Sequence, residues 1–124
     1  MENRGVRIKS EKKFGSRDNR FMLCRKCGNP ITTSDCNIAV NDQYIHKFFN
    51  PEGVLYKIGC FSLADGCFVD GDPTLNRTWF KDFSWSLSFC SRCLAHLGWH
   101  YQRGDERFFG LILDHLADTA KTFL

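Results

Sequence analysis

Residues 78–101, TWFKDFSWSLSFCSRCLAHLGWHY, contain all three tryptophans of the 124-residue chain, Trp79, Trp85 and Trp99, gathered around the pair Cys90 and Cys93. Two cysteines separated by two residues place their thiols at adjacent corners of a tetrahedron, and a zinc ion needs four such corners. The other half lies far upstream, in Cys24-Arg25-Lys26-Cys27, so Cys24, Cys27, Cys90 and Cys93 form the candidate ligand set. In a zinc ribbon the two pairs lie about 15–20 residues apart. Here 62 residues separate them, so the expected ion clips together two ends of a whole domain. A four-sulfur shell leaves no open position for water, which makes the expected Zn2+ structural and not catalytic. Arg25, Lys26 and Arg92 stand between the ligands and are expected to offset the charge of four thiolates.

Composition bounds the rest. A chain of this length, 43% hydrophobic and 25% charged, fits one globular domain. The net charge of +3 is unevenly placed. Residues 1–20 hold seven Lys/Arg against Glu2, Glu11 and Asp18, so they carry +4 and the remainder −1. A stretch so polar reads as a disordered basic tail, with a folded domain over 21–118 and a short C-terminal tail over 119–124. The mixed acids of the tail argue against a nucleic-acid arm, so nucleic acid is not the expected partner. No apolar run is long enough for a membrane helix and no signal-peptide core is present, so the expected location is cytoplasmic, with no membrane partner. In a reducing compartment, seven cysteines point to metal before disulfides. Cys36, Cys60 and Cys67 then read as small buried hydrophobes.

From Phe21 onward, short apolar runs rich in Phe, Val, Ile and Tyr alternate with turn residues, a β texture. Expected strands are 38–40, 44–49, 54–60, 68–70, 84–89, 94–101 and 107–113. Asn50-Pro51-Glu52-Gly53 has the Pro and Gly positions of a type I turn and reads as a hairpin tip. Residues 108–117 fit either a helix face or a strand face, and periodicity leaves both open. On strands, residues two apart share a face, so Trp99 and Tyr101 point one way, Trp85, Leu87 and Phe89 share one face of the strand before the second pair, and Trp85 and Trp99 are expected to be neighbours across the two strands. The expectation is an aromatic box on a metal-pinned base. Such a box suits either a quaternary ammonium, by cation–π attraction, or a flat neutral ring. With Asp82 the nearest acid to any tryptophan, the neutral ring is favoured.

The motifs LCRKCG (23–28), FNPEG (49–53), TWFKDFSW (78–85), CSRC (90–93), HLGWHY (96–101) and FFGL (108–111) occur together and in one order. In this the chain resembles the CULT domain, the thalidomide-binding domain of cereblon, and most of all its single-domain bacterial-type homologues. The resemblance implies a mainly β fold, a β-tent of two antiparallel sheets at a steep angle pinned by a structural four-cysteine zinc, with 108–117 mainly extended. It implies zinc ligands at Cys24, Cys27, Cys90 and Cys93, and a ligand cage at Trp79, Trp85, Trp99 and Tyr101 under a hairpin carrying Asn50 and Pro51. It further implies that a cyclic imide enters edge-first. The imide N–H would donate to the Arg77 carbonyl, and one imide carbonyl would accept from the Trp79 N–H. Tyr101 stands where cereblon has Phe, and Arg77 where cereblon has His.

The expected function is therefore a small-molecule binding module for cyclic imides of the glutarimide or thalidomide type, for uracil- and uridine-like rings, or for protein C-termini cyclised to an imide. A methionine sulfoxide reductase of the B type shares a zinc-pinned β fold, but its nucleophilic cysteine follows the second pair, and no cysteine follows Cys93. A nucleic-acid-binding zinc domain is the other alternative, and salt-independent affinity for uridine with none for oligonucleotides would separate the small-molecule binding module from it. No enzyme activity and no ubiquitin-ligase partner are expected of this chain alone.

Overall fold

The computed structural model describes residues 8–10, by their backbone, and 20–119. The rest of the basic 1–20 segment and of the 119–124 tail lies outside the described residues. The described residues form eleven strands: β1 (Ile8–Ser10), β2 (Phe21–Cys24), β3 (Pro30–Thr33), β4 (Ile38–Val40), β5 (Ile45–Phe49), β6 (Leu55–Phe61), β7 (Cys67–Thr74), β8 (Ser84–Cys90), β9 (His96–Arg103), β10 (Glu106–Ile112) and β11 (Leu116–Asp118). Among the described residues there is no α-helix, only two 3-10 turns at Ser34–Cys36 and Leu113–His115. Among the described residues no helix is long and apolar enough to cross a membrane.

Two antiparallel sheets organise the chain. The larger has the order β5-β6-β10-β9-β8-β7 and the smaller β11-β2-β3, while β1 and β4 make a separate two-stranded ribbon. The ambiguous 108–117 segment is extended: β10 runs to Ile112, one 3-10 turn follows, and β11 joins the small sheet beside β2. The flanking strands β2 and β3 of the first cysteine pair were not expected. They are four residues each, and the bulge between Met22 and Leu23 breaks their alternation.

Two buried clusters fill the interior. One, with Met22, Ile31, Phe61, Leu97, Leu111 and Leu116, surrounds Cys24 and Cys90. The other contains Ile38, Val40, Cys60, Phe80, Phe83, Tyr101 and Phe108, and Trp79, Trp85 and Trp99 pack against it. The cysteine group and the indoles thus each rest on their own floor. Gly98 lets β9 press onto β10: with φ at +153°, a Cβ there would collide with the Gly110 carbonyl oxygen. No other residue type fits so close an approach.

Candidate functional site

The first pair lies at the end of β2 and the second at the end of β8, one in each sheet. Tight turns curl both. Gly28 N–H donates to the Cys24 carbonyl at 2.7 Å with Gly28 at φ +81°, and Leu94 N–H donates to the Cys90 carbonyl at 2.8 Å with Leu94 at φ +65°. The result brings the four sulfurs within 4.8 Å of one another. Cys24 and Cys93 Sγ are 3.7 Å apart, and Cys27 and Cys90 Sγ 3.6 Å. These four thiols could hold a metal ion.

Their electrostatics suit a cation. At Cys90 burial pushes the thiol up, but main-chain groups of Cys93 and Arg92 and the neighbouring thiols pull harder, and it falls to about 6. At Cys27 the main chain of Asn29 lowers the thiol, while burial and three neighbouring sulfurs lift it to about 11. Burial also raises Cys24. One thiolate is therefore welcome in the group, and further negative charge is resisted until a cation balances it. Asn29, in the turn after the first pair, donates its Nδ2–H to Cys90 Sγ at 3.6 Å. Arg25 does not face the sulfurs alone: its guanidinium donates to the carbonyls of Asp114 (2.8 Å) and Leu116 (3.0 Å), tying β2 to the chain entering β11.

The second feature is a hollow of about 400 Å³ lined by Phe49, Asn50, Pro51, Tyr56, Arg77, Trp79, Trp85, Trp99 and Tyr101. All seven residues expected at a ligand site line it. Trp79 and Trp99 meet edge to face at 4.9 Å between centroids, so the indoles form walls and not a closed stack. Trp85 is directly opposite Tyr101 on β9, while Trp99 is opposite Leu87, so Trp85 and Trp99 are diagonal neighbours on one face. Tyr101 is almost fully buried, stacked on Phe108, and forms the floor. Burial holds its phenol far above the usual range, so it stays neutral.

The β5–β6 hairpin supplies the remaining wall. Phe48 and Tyr56 are cross-strand partners. Phe48 stacks on Trp79 at 4.8 Å, and Tyr56 meets Trp99 edge-on at 5.7 Å. Neither residue carries a local sequence signal that places it at the cage. The tip is held by Asn50, whose Oδ1 accepts from Val54 N–H at 2.8 Å, which leaves its Nδ2 as the free donor end among the described residues. The loop before β8 is equally fixed. Trp85 Nε1–H donates to the Asn76 carbonyl at 2.8 Å, Thr78 N–H to the Leu75 carbonyl at 3.2 Å, and Thr78 Oγ1–H to the Phe83 carbonyl at 2.7 Å. Between these anchors Arg77 takes φ +57°. Among the described residues, neither the Arg77 carbonyl nor the Trp79 N–H has a hydrogen-bond partner.

The remaining cysteines lie elsewhere. Cys60 is fully buried in the aromatic cluster and Cys67 packs on the other core; burial raises both thiols to about 12. Cys36 lies beside Thr33, 3.7 Å from its Oγ1.

The sequence matches no family profile. It is similar to cereblon from several animals: 25% identical over 105 residues to that of Danio rerio, covering 79% of this chain and 24% of the relative. With cereblon of Drosophila melanogaster it shares 21% over 89 residues, and with that of Drosophila grimshawi 29% over 86, covering 69% and 65% of this chain. The chain spans a quarter or less of the length of these relatives. This likeness, over most of the folded part and at low identity, agrees with the all-β fold of two antiparallel sheets, the four gathered cysteines and the aromatic cluster, and is consistent with a CULT-like domain.

Proposed function

We propose that this chain is a binding module, not an enzyme, whose tri-tryptophan hollow takes a cyclic imide or a uracil-like ring edge-first, with a structural zinc holding the two sheets together. The observation that carries the reading is a 400 Å³ aromatic hollow, two of whose lining residues hold main-chain groups without partners among the described residues, the Arg77 carbonyl and the Trp79 N–H. An imide presents an acceptor and a donor side by side, which answers this pair, and flanking indoles exclude competing water. Asn50 Nδ2 is free to meet the second imide carbonyl. A quaternary ammonium is the poorer occupant, because Arg77, the one charged residue lining the hollow among the described residues, repels it. Zinc fits the thiol group. A regular tetrahedron with Zn–S of about 2.3 Å has sulfur–sulfur edges of about 3.8 Å, close to the 3.6 and 3.7 Å found here. When bound, the ion supplies a rigid junction and no chemistry on a ligand.

Titration of the full chain with uracil and glutarimide, followed by indole fluorescence, tests this. Saturable quenching with micromolar Kd, about −8 kcal/mol, is expected. The counterparts methylated at the imide nitrogen should bind at least about tenfold more weakly, because the methyl removes the donor and leaves the Arg77 carbonyl unpaired. Trp99→Ala should lose binding while retaining metal and β-sheet circular dichroism. Equal affinity for the methylated rings, or no quenching by either parent ring, rejects the reading.

A further inference from the structure

Among the described basic residues, Arg77 is the one that lines the aromatic hollow. Arg20 pairs with Asp118 at 3.4 Å, Arg103 with Glu106 at 2.7 Å, and Arg25 is held by two carbonyls. Arg77 has no ion pair or hydrogen bond among the described residues, is exposed, and lines a hollow whose other lining residues are aromatic, amide or proline. Among the described residues, no acidic side chain lines that hollow to neutralise it. Its backbone conformation at φ +57° is one that Gly, Asn or Asp adopt more readily, so the turn itself gives no reason for arginine. The anchored carbonyl of Asn76 and the Thr78 hydrogen bonds to Leu75 and Phe83 fix its backbone on the wall, and its side chain is left exposed to solvent.

We infer that Arg77 selects an anionic ligand: a ring whose imide edge enters the cage and whose opposite edge carries a carboxylate. This rests on the edge-first reading above and deepens it. In a six-membered imide, the atom directly across the ring from the imide nitrogen faces outward when that nitrogen faces the floor. A carboxylate on this atom emerges toward solvent, where the long, exposed Arg77 side chain extends from the wall that carries its carbonyl. The guanidinium offers paired N–H donors in the geometry of a carboxylate, and the apolar walls strengthen the attraction relative to open water. A neutral ring leaves the guanidinium in solvent and gains nothing from it. A cationic substituent at the same position is repelled.

The probe pair is uracil and orotate, which is uracil bearing a carboxylate on the carbon across from the imide nitrogen. Both are titrated into the full chain by indole fluorescence at low salt and at about 1 M salt, where charges are screened beyond roughly 3 Å. The readout is the ratio of the two affinities, which cancels any general effect on the hollow. In the wild type, orotate is expected to bind roughly three- to tenfold more tightly than uracil at low salt, and the preference to shrink at high salt. Arg77→Gln should bring the ratio to about one, and Arg77→Glu should reverse it. If uracil binds and orotate binds equally or more weakly in the wild type, this inference fails while the imide reading stands. A preference that survives in Arg77→Glu also overturns it. If neither ring binds, the imide reading itself is wrong, and the inference falls with it.

Discussion

Trp85 carries two functions on one side chain. Its ring is a wall of the hollow, and its Nε1–H, 2.8 Å from the Asn76 carbonyl, pins the loop that presents Arg77 and Trp79. Trp85→Phe separates the two, because it keeps an aromatic wall and removes only the donor. The net worth of such a hydrogen bond is about 1 kcal/mol, or roughly fivefold in affinity. Uracil should therefore bind about threefold to tenfold more weakly to Trp85→Phe, with a modest fall in Tm. Trp85→Ala, which removes the wall, should lose binding altogether. Wild-type affinity in Trp85→Phe would mean that the loop is held by its Thr78 bonds alone.

At the scale of one element, the β5–β6 hairpin decides which aromatic residues meet the cage. Its tip closes with Gly53 N–H to the Asn50 carbonyl at 2.9 Å and Asn50 N–H to the Val54 carbonyl at 2.9 Å, with Gly53 at φ +84°. This is a type I turn followed by a left-handed residue, which inserts one extra residue into the register. The extra residue places Phe48 opposite Tyr56. A plain two-residue turn would place Phe48 opposite Leu55, and a slip of one flips every side chain of a strand to its other face. Gly53→Ala should destabilise the hairpin by about 1–2 kcal/mol, the cost of the left-handed conformation for an L-residue. Amide exchange should quicken over 49–55 and imide affinity should fall, while exchange in β8–β10 stays unchanged. Gly53→Asn, which tolerates this conformation better, should recover part of both. The same hairpin marks the limit of what the sequence makes legible. Strand positions, the turn and the cysteine group are readable because alternation, Pro/Gly placement and Cys spacing are local signals. Phe48 and Tyr56 are not, because their place depends on a register shift that a single left-handed glycine creates. The strands β2, β3 and β11 are equally opaque: three or four residues long, with a bulge where β2 meets β3, they exist because the other sheet and the cysteine group hold them.

Across the whole molecule, the thiol group and the hollow are joined by one strand. Cys90 ends β8 and Trp85 stands five residues earlier, about 17 Å along an extended chain. The small sheet meets β8 through Cys24 and Cys27, so a bound ion fixes the base on which the cage is built. Both sets of residues rest on buried clusters of modest size, and in small domains the free energy of metal binding is largely folding free energy. Chelation of the metal-loaded protein is therefore expected to lower Tm steeply and to abolish uracil quenching in parallel, rather than to leave a metal-free receptor. Acid should act in the same direction. The thiols of Cys24 and Cys27 hold their protons more tightly than usual when no cation is present, so falling pH returns protons to them and expels the ion. Coupling runs both ways: uracil at about a hundred times its Kd should stabilise the loaded fold by about 2.7 kcal/mol and slow metal release to a chromophoric chelator. If the chelated protein keeps its sheet signature and binds uracil with undiminished affinity, the cage does not depend on the cysteine group, and packing of the aromatic cluster against β9 and β10 alone holds the tryptophans in place.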